Sequence, residues 1–167
     1  MLGITTFGWV HTMFSLIAVA SGIISFIRYG AILWDTKVGK SYVYMTILTC
    51  LTSFFIFHHG GFGKPHVLGI ITLIILSTAL AAGEKIKLFG RVSPYIETVC
   101  YSMTFFFHLI PGVTETTTRL PVGAPLASGP EDPLIQKAVG IAFTLFLIGA
   151  TLQVIRLRKK LYLLHAK

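Results

Sequence analysis

Five long apolar segments take up most of this chain of 167 residues and constrain its fold more than any other feature. A helix needs about 20 apolar residues to cross the hydrocarbon core of a membrane, so five spans use roughly 100 residues. The segments are continuously apolar rather than alternating, which disfavours a membrane β-barrel. The sequence therefore predicts an all-α integral membrane helical bundle, with a single transmembrane domain over 1–167 and no soluble domain. The expected spans cover about 7–29, 41–59, 65–82, 93–110 and 133–155.

Composition narrows the functional class. Charged residues make up 12% of the chain and hydrophobic residues 54%, whereas an ordinary soluble domain has roughly 25% charged residues. A soluble enzyme, a disordered tail and a nucleic-acid-binding domain are therefore excluded as classes. A net charge of +8 would suggest nucleic acid in a soluble protein. Here the positions of the charges matter more than their sum, and we expect no nucleic-acid partner.

The 14 lysines and arginines predict the orientation. Basic residues collect in the cytoplasmic loops of membrane proteins. With the N-terminus outside, eleven of them fall on the inner side and three on the outer side. We therefore expect a cytoplasmic C-terminus and a multi-pass protein of the cell membrane, by preference a bacterial inner membrane, with its basic tail on anionic lipid. The inner set is Arg28, Lys37, Lys40, Lys85, Lys87, Arg91, Arg156, Arg158, Lys159, Lys160 and Lys167, and the outer set is Lys64, Arg119 and Lys137.

The longest connection should lie between the fourth and fifth spans. The fourth span begins at Ser93-Pro94, an N-cap followed by proline at the first helical position. Its end is expected at Pro111-Gly112. The outer loop 111–133 then holds five of the seven prolines, and loops of this length are often functional.

Histidines concentrate on the outer face once the spans are threaded in this order. Five of the six come to that face from four helices, and His165 alone lies inside. Such a group could ligate Zn or Cu, hold the iron of a haem b between two helices, or bind and deprotonate a small molecule such as a quinol. An interfacial position explains any single histidine equally well. The candidate metal ligands are His11, His66 and His108, followed by His58 and His59.

A stripe on the fourth span extends this site toward the cytoplasm. Glu97, Tyr101, Thr104 and His108 are spaced 4, 3 and 4 residues apart, so they share one helix face. An ionisable residue inside a span is a functional hypothesis by default. Glu97 and Tyr101 are therefore the candidate catalytic residues of a proton route, with waters between the groups. Snorkelling to the inner interface is the alternative for Glu97.

Three further residues could hold a cofactor. Gly22 lies on a face of small residues that would let a flat cofactor, or simply another helix, approach the backbone. Arg119 or Lys64 could neutralise a haem propionate or an anionic substrate. A solvated pair between Glu115 and Arg119, four residues apart, is the alternative.

Segments 11–22, 40–42 and 60–62 resemble a bacterial family of predicted multi-pass membrane proteins of unknown function. The resemblance covers the first half of the chain, and a His-Arg pair that the pattern places near Lys40 is absent. It implies a membrane fold and no particular activity. The architecture also resembles b-type cytochrome bundles, which implies at most one haem, near the outer surface.

Two classes of function follow. The first is a membrane redox or metal-binding protein with its site at the outer face, in its sharper form a b-type haem that exchanges electrons with quinol or an outer acceptor. The second is a non-enzymatic membrane subunit of a larger complex, or a small transporter. A transporter would need polar groups and broken helices at mid-membrane.

Overall fold

A computed structural model describes residues 6–56, 61–83 and 85–165, with the backbone alone described at 164 and 165. These residues form five α-helices, a short 3-10 turn at Gly90–Val92 and no strand. The all-α prediction is therefore confirmed. The helices are α1 Thr6–Tyr29, α2 Lys37–Ser53, α3 Lys64–Ala82, α4 Ser93–Arg119 and α5 Pro133–His165.

Four of these helices are long and apolar enough to cross a membrane, namely α1, α3, α4 and α5. The remaining helix, α2, has 17 residues, which is short for a span. It begins four residues before the expected span 41–59 because the Thr36 side chain accepts a hydrogen bond from Gly39 N at 2.9 Å and caps it. It ends at Ser53, and residues 57–60 lie outside the described part of the chain.

Helices α1 to α4 pack around a common interior, and α5 packs on the outside of α4. Each helix contacts its neighbour in sequence, and α1 also contacts α4, which closes the four-helix unit. The tightest approach is at Gly22 of α1. A Cβ there would lie 2.6 Å from the Phe105 ring of α4, so glycine is required for this packing. The fully buried core includes Ala18, Tyr42, Val43, Leu76, Ala79 and Tyr101.

The helix ends meet as an up-and-down bundle requires. At one end, which we name the basic end, Gly30 after α1 approaches Arg156 of α5, and Gly83 after α3 approaches Glu97 of α4. At the other end, which we name the loop end, Lys64 of α3 pairs with Glu131 before α5. The threading predicted from the sequence is thus the one the helices adopt, while the orientation in a membrane stays a prediction.

The fourth helix continues well past its expected end. Pro111 lies inside α4, which runs on to Arg119, so the connection is 120–132 rather than 111–133. A proline removes one backbone hydrogen bond from a helix interior. Threonine hydroxyls add bonds within this last stretch: Thr114 donates to Ile110 O at 2.9 Å and Thr118 to Thr114 O at 2.7 Å. The threonines assigned to a loop therefore belong to a helix.

Two further details differ from expectation. Ser93 does not cap α4 through the helix itself; its hydroxyl accepts from Phe89 N at 3.1 Å in the preceding turn. The fifth helix does not stop near Ile155 but runs to His165, so the basic residues 156–160 are helical. At 1.5 Å per residue its 33 residues extend about 50 Å, which is longer than a hydrocarbon core of about 30 Å.

Candidate functional site

His108 is the centre of a polar group between α1, α2 and α4. Its side chain is 5% exposed. Each ring nitrogen meets a hydroxyl from a different helix: Nδ1 lies 3.4 Å from Ser15 Oγ of α1, and Nε2 lies 3.0 Å from Thr46 Oγ1 of α2. Because eleven more residues of α4 follow it, His108 lies about 16 Å below the end of that helix. His108 therefore lies deeper in the bundle than the outer-face position expected from the sequence.

Further buried hydroxyls lie below His108. The Tyr42 phenol of α2, one turn before Thr46, lies 2.8 Å from Thr104 Oγ1 of α4. Thr104 in turn donates to the backbone carbonyl of Tyr101 at 2.9 Å. Tyr42, Thr46 and Thr104 are all completely buried. The interior at this level is therefore polar and hydrogen-bonded, not simply apolar.

His11 lies toward the loop end, one turn before Ser15 on α1, and is half-buried. Its Nδ1 lies 3.0 Å from the Thr52 hydroxyl of α2. That hydroxyl already donates to the carbonyl of Leu48 at 2.7 Å. His11 and His108 are near enough to interact electrostatically. The structure thus brings two of the five predicted histidines into one neighbourhood, at different depths.

His66 has a different setting in the first turn of α3. It is 4% exposed, its Nδ1 accepts a hydrogen bond from Gly63 N at 3.2 Å, and its ring stacks on Phe62 with centroids 5.2 Å apart. Through these contacts His66 stabilises the N-terminal turn of α3. His58 and His59 lie outside the described residues.

The described residues contain no group of three or more His, Cys, Asp or Glu side chains that could hold a metal ion. A haem iron or another metal at His108 would have to displace the hydroxyl of Ser15 or Thr46. At Gly22 a flat cofactor would have to displace the Phe105 ring. The arrangement therefore favours a hydrogen-bonding role for these residues, and the cofactor itself stays a prediction.

The predicted stripe on α4 faces the interior as a whole. Tyr101 and Thr104 are completely buried and His108 nearly so, while Glu97 is half-buried at the basic end beside Gly83. The stripe is not one continuous chain of hydrogen bonds, however. Thr104 bonds the backbone of Tyr101, and the Tyr101 phenol has no hydrogen-bond partner among the described residues.

Both predicted cationic residues have carboxylate partners. Lys64 pairs with Glu131. Arg119 Nε lies 2.6 Å from Glu115 Oε2 one turn earlier on α4, as the alternative interpretation of that spacing expects. Neither pair includes a histidine of the site. Their role with an anionic group stays a prediction.

Sequence reasoning missed the α2 side of this site and a link to α5. Tyr42 and Thr46 are four residues apart in α2, a spacing that the helical period could have revealed. Gln153 is an amide in the apolar middle part of α5. It accepts from Ser102 Oγ of α4 at 2.7 Å and donates to Gly30 O at 2.9 Å.

Two surface recesses lie away from the histidines. A recess of about 450 Å³ lies beside α3 and the following connection, and one of about 350 Å³ lies between α4 and α5. Both are lined mainly by apolar side chains, and none of the predicted site residues lines either. The buried network is therefore the stronger candidate for function.

Compared with family models, curated proteins and solved structures, the chain matches none of them. The resemblances to a bacterial membrane family and to b-type cytochromes accordingly stay predictions. What can be said of function rests on the contacts of His11 and His108.

Proposed function

We propose that this chain is a multi-pass membrane protein that exchanges protons with a quinol at the histidine site formed by α1, α2 and α4. Quinol oxidation releases two protons and two electrons. His11 and His108 are two proton acceptors at different depths of one site. The two electrons pass to two equivalents of an external one-electron oxidant at the outer face, which is the redox role expected from the sequence.

The observation that carries this proposal is the environment of His108. An ionisable side chain buried between membrane helices is costly unless it has polar partners or a function. Here both ring nitrogens have hydroxyl partners, so the ring is held in one orientation with its nitrogens in use. A neutral imidazole in such a setting can accept and return a proton.

Haem and metal binding are less well supported forms of the same redox role. They require a nitrogen lone pair that the Ser15 or Thr46 hydroxyl now occupies. Visible spectra of the protein purified from cofactor-replete cells test haem directly, since a bound haem gives a Soret band. Metal analysis of the same sample tests Zn and Cu.

Quinone binding can be measured with the two tryptophans of the chain. Trp9 lies on α1 near His11, and Trp34 lies between α1 and α2 at the basic end. With Trp34→Phe, Trp9 is the only tryptophan reporter, and Trp9→Phe is the matched control. A quinone analogue in nanodiscs should quench Trp9 saturably, and His108→Ala should abolish that saturation. Linear and equal quenching of both tryptophans would mean partition into lipid alone and would contradict the proposal.

A second candidate, a subunit of a larger membrane complex, is favoured by α5. Among its residues 133–163, whose side chains are described, Ile135 and Ala150 alone are buried. Lipid or another membrane helix could cover the rest. A defined complex of constant stoichiometry, isolated in mild detergent and lost on polar substitution of Leu145 (63% exposed), would support it. A chain that stays monomeric with full quinone binding would exclude it.

A further inference from the structure

We infer that the recess beside α3 binds one acyl chain of an anionic phospholipid, whose phosphate lies against the basic connection 83–92 between α3 and α4. The recess has a volume of about 450 Å³. None of the described histidines lines it, so this lipid site is separate from the histidine site. The inference does not depend on the quinol reaction proposed above.

The recess lies on a face of α3 that points away from the interior of the bundle. The buried stripe of α3 includes Thr72, Leu76 and Ala79. The recess is formed by another face of the helix, through Leu73, Ile74, Ser77, Thr78 and Ala81. Ile74 is 59% exposed. Because α3 is long and apolar enough to span a membrane, this face would meet lipid acyl chains.

The length and lining of the recess fit an acyl chain. From Leu73 to Ala81 it follows α3 for about 12 Å, at 1.5 Å per residue. It reaches the last turn of α3, which ends at Ala82. Its lining is apolar except for two hydroxyls, and that of Thr78 donates to Ile74 O at 2.9 Å. An acyl chain in this recess would extend inward from a headgroup at the basic end.

The connection 83–92 folds back over α3 and completes the recess. Leu88 N donates to Ala81 O at 3.1 Å, and Leu88 and Phe89 form part of the wall. The turn that places them is at Lys87, whose φ of 48° is uncommon for a residue other than glycine. Lys87 N donates to Gly83 O at 2.9 Å. The connection therefore puts a lysine directly beside the two residues of the wall.

The charge of the connection selects the ligand. It carries Lys85, Lys87 and Arg91 against one carboxylate, Glu84, a net charge of +2 from 3 − 1. All three cations are exposed, and neither ion pair of the described residues includes any of them. Basic residues at a membrane surface attract anionic lipid. A neutral lipid or an apolar helix would fit the recess but would leave these cations without a partner.

A tryptophan in the wall measures this preference. Phe89→Trp, in a chain with Trp9→Phe and Trp34→Phe, gives a single reporter. The protein is placed in phosphatidylcholine vesicles that contain phosphatidylglycerol with brominated acyl chains, and brominated phosphatidylcholine is the comparison. Attraction of about fivefold per charge predicts a preference of roughly 30-fold for the anionic lipid. Equal quenching by the two lipids would overturn the inference.

The role of the connection is tested by charge removal. The combined variant Lys85→Gln, Lys87→Gln and Arg91→Gln should abolish the preference. The matched control removes three charges from α5 at positions 158, 159 and 160, each replaced by Gln. Helix α5 packs on α4 and, among the described residues, not on α3. The control should lower the preference by no more than about threefold, since salt screens charges beyond about 10 Å. An equal loss in both variants would mean general surface attraction and would contradict the site.

The role of the recess is tested by filling it. Ser77→Phe should weaken quenching by the brominated anionic lipid roughly tenfold, as expected when about two methylene groups are no longer buried. Thr151→Phe, also at an exposed position but in the recess between α4 and α5, is the matched control. If the two variants behave alike, the acyl chain does not lie beside α3 and the inference is wrong.

Native mass spectrometry provides a measurement that needs no variant. The unmodified protein, released from vesicles of equal phosphatidylglycerol and phosphatidylcholine, should retain one phosphatidylglycerol. If Ser77→Phe does not fold, this result and the charge variants still decide. Retention of phosphatidylcholine in equal amount, or of neither lipid, would overturn the inference.

Discussion

The four-helix unit α1–α4 and the helix α5 differ in how many polar side chains they bury. The unit buries hydroxyls and an imidazole in its interior, among them Thr46, Thr104 and His108. Helix α5 buries two residues among its described side chains; it packs on α4 through the rings of Phe106, Phe143 and Phe146, and its Gln153 amide bonds to Ser102 and Gly30. Polar groups between membrane helices need partners within the protein because lipid offers none. The buried polar contacts are therefore concentrated in α1–α4, which is where we propose the functional site.

The largest difference in stability between the two regions should come from adding one methyl group to a glycine in each. Gly22→Ala places a Cβ 2.6 Å from the Phe105 ring, and overpacking of this kind costs about 1–3 kcal/mol. Gly149→Ala on α5 meets nothing within 4 Å and should stabilise the helix by up to about 1 kcal/mol. Reversible unfolding in mixed micelles gives both values. Equal effects at the two positions would remove the distinction between the regions.

Removal of a buried hydroxyl should lower the stability of the protein in the unit α1–α4, and removal of an exposed hydroxyl in α5 should not. Thr104→Val leaves the Tyr42 phenol without its buried acceptor, which costs about 1–2 kcal/mol. Thr151→Val on the exposed face of α5 removes only a bond to its own Leu147 carbonyl and should stay within about 0.5 kcal/mol. The same unfolding assay compares them. If Thr151→Val lost more stability than Thr104→Val, the polar contacts that stabilise the protein would lie in α5 rather than in α1–α4.

The attachment of α5 should depend on Gln153. Replacement by Leu removes the bonds to Ser102 and Gly30, with a cost of about 1 kcal/mol, while the α1–α4 interior keeps its contacts. Spin labels on α4 and α5 should then report a broader distance distribution, and labels on α1 and α2 an unchanged one. Gln136→Leu, on the same helix but bonded to the nearby Glu131 carbonyl, is the control. Broadening between α1 and α2 would show that α5 supports the whole bundle.

The smallest effect concerns pH at the start of α5. Backbone N–H groups of Ser128 and Leu134 donate to Asp132 and lower its pKa below the ordinary value of 3.8. A lowered pKa in the folded state means that this carboxylate stabilises the turn above that value and ceases to do so as the pH falls through the folded pKa. The Ser128 and Leu134 amides should then lose protection from hydrogen exchange, relative to their intrinsic rates, only as the pH falls below 3.8 through the lowered pKa of Asp132.

The control for this pH effect is Asp132→Ala, which should lack protection at these amides at every pH. Amides of α2 at Thr46 and Thr49 should show no transition in the same range, since no carboxylate caps them. If protection at Ser128 and Leu134 persists unchanged into acid, the Asp132 contacts do not order the turn.

Much of the fold follows from hydropathy alone, and the errors have identifiable causes. The extents of the apolar runs located α1 and α3 closely. Pro111-Gly112 predicted a helix end, but the helix runs through both residues to Arg119, and threonines 114, 117 and 118 bond to its carbonyls beyond them. The span expected at 41–59 became the shorter α2, which begins early because Thr36 caps it and ends at Ser53. Local breaker signals are weak evidence when neighbouring side chains can satisfy the backbone.

The sequence by itself determined that the chain is a bundle of apolar helices, because continuous hydropathy needs no partner to be recognised. It also determined that the stripe through Tyr101, Thr104 and His108 shares one face, because the helical period places residues 3 and 4 apart together. Only the tertiary structure decided which hydroxyls meet His108, since Ser15 and Thr46 come from other helices. The direction of each hydrogen bond depends on which hydroxyl has already donated to a backbone carbonyl, and this depends on atomic positions that no spacing in the sequence contains.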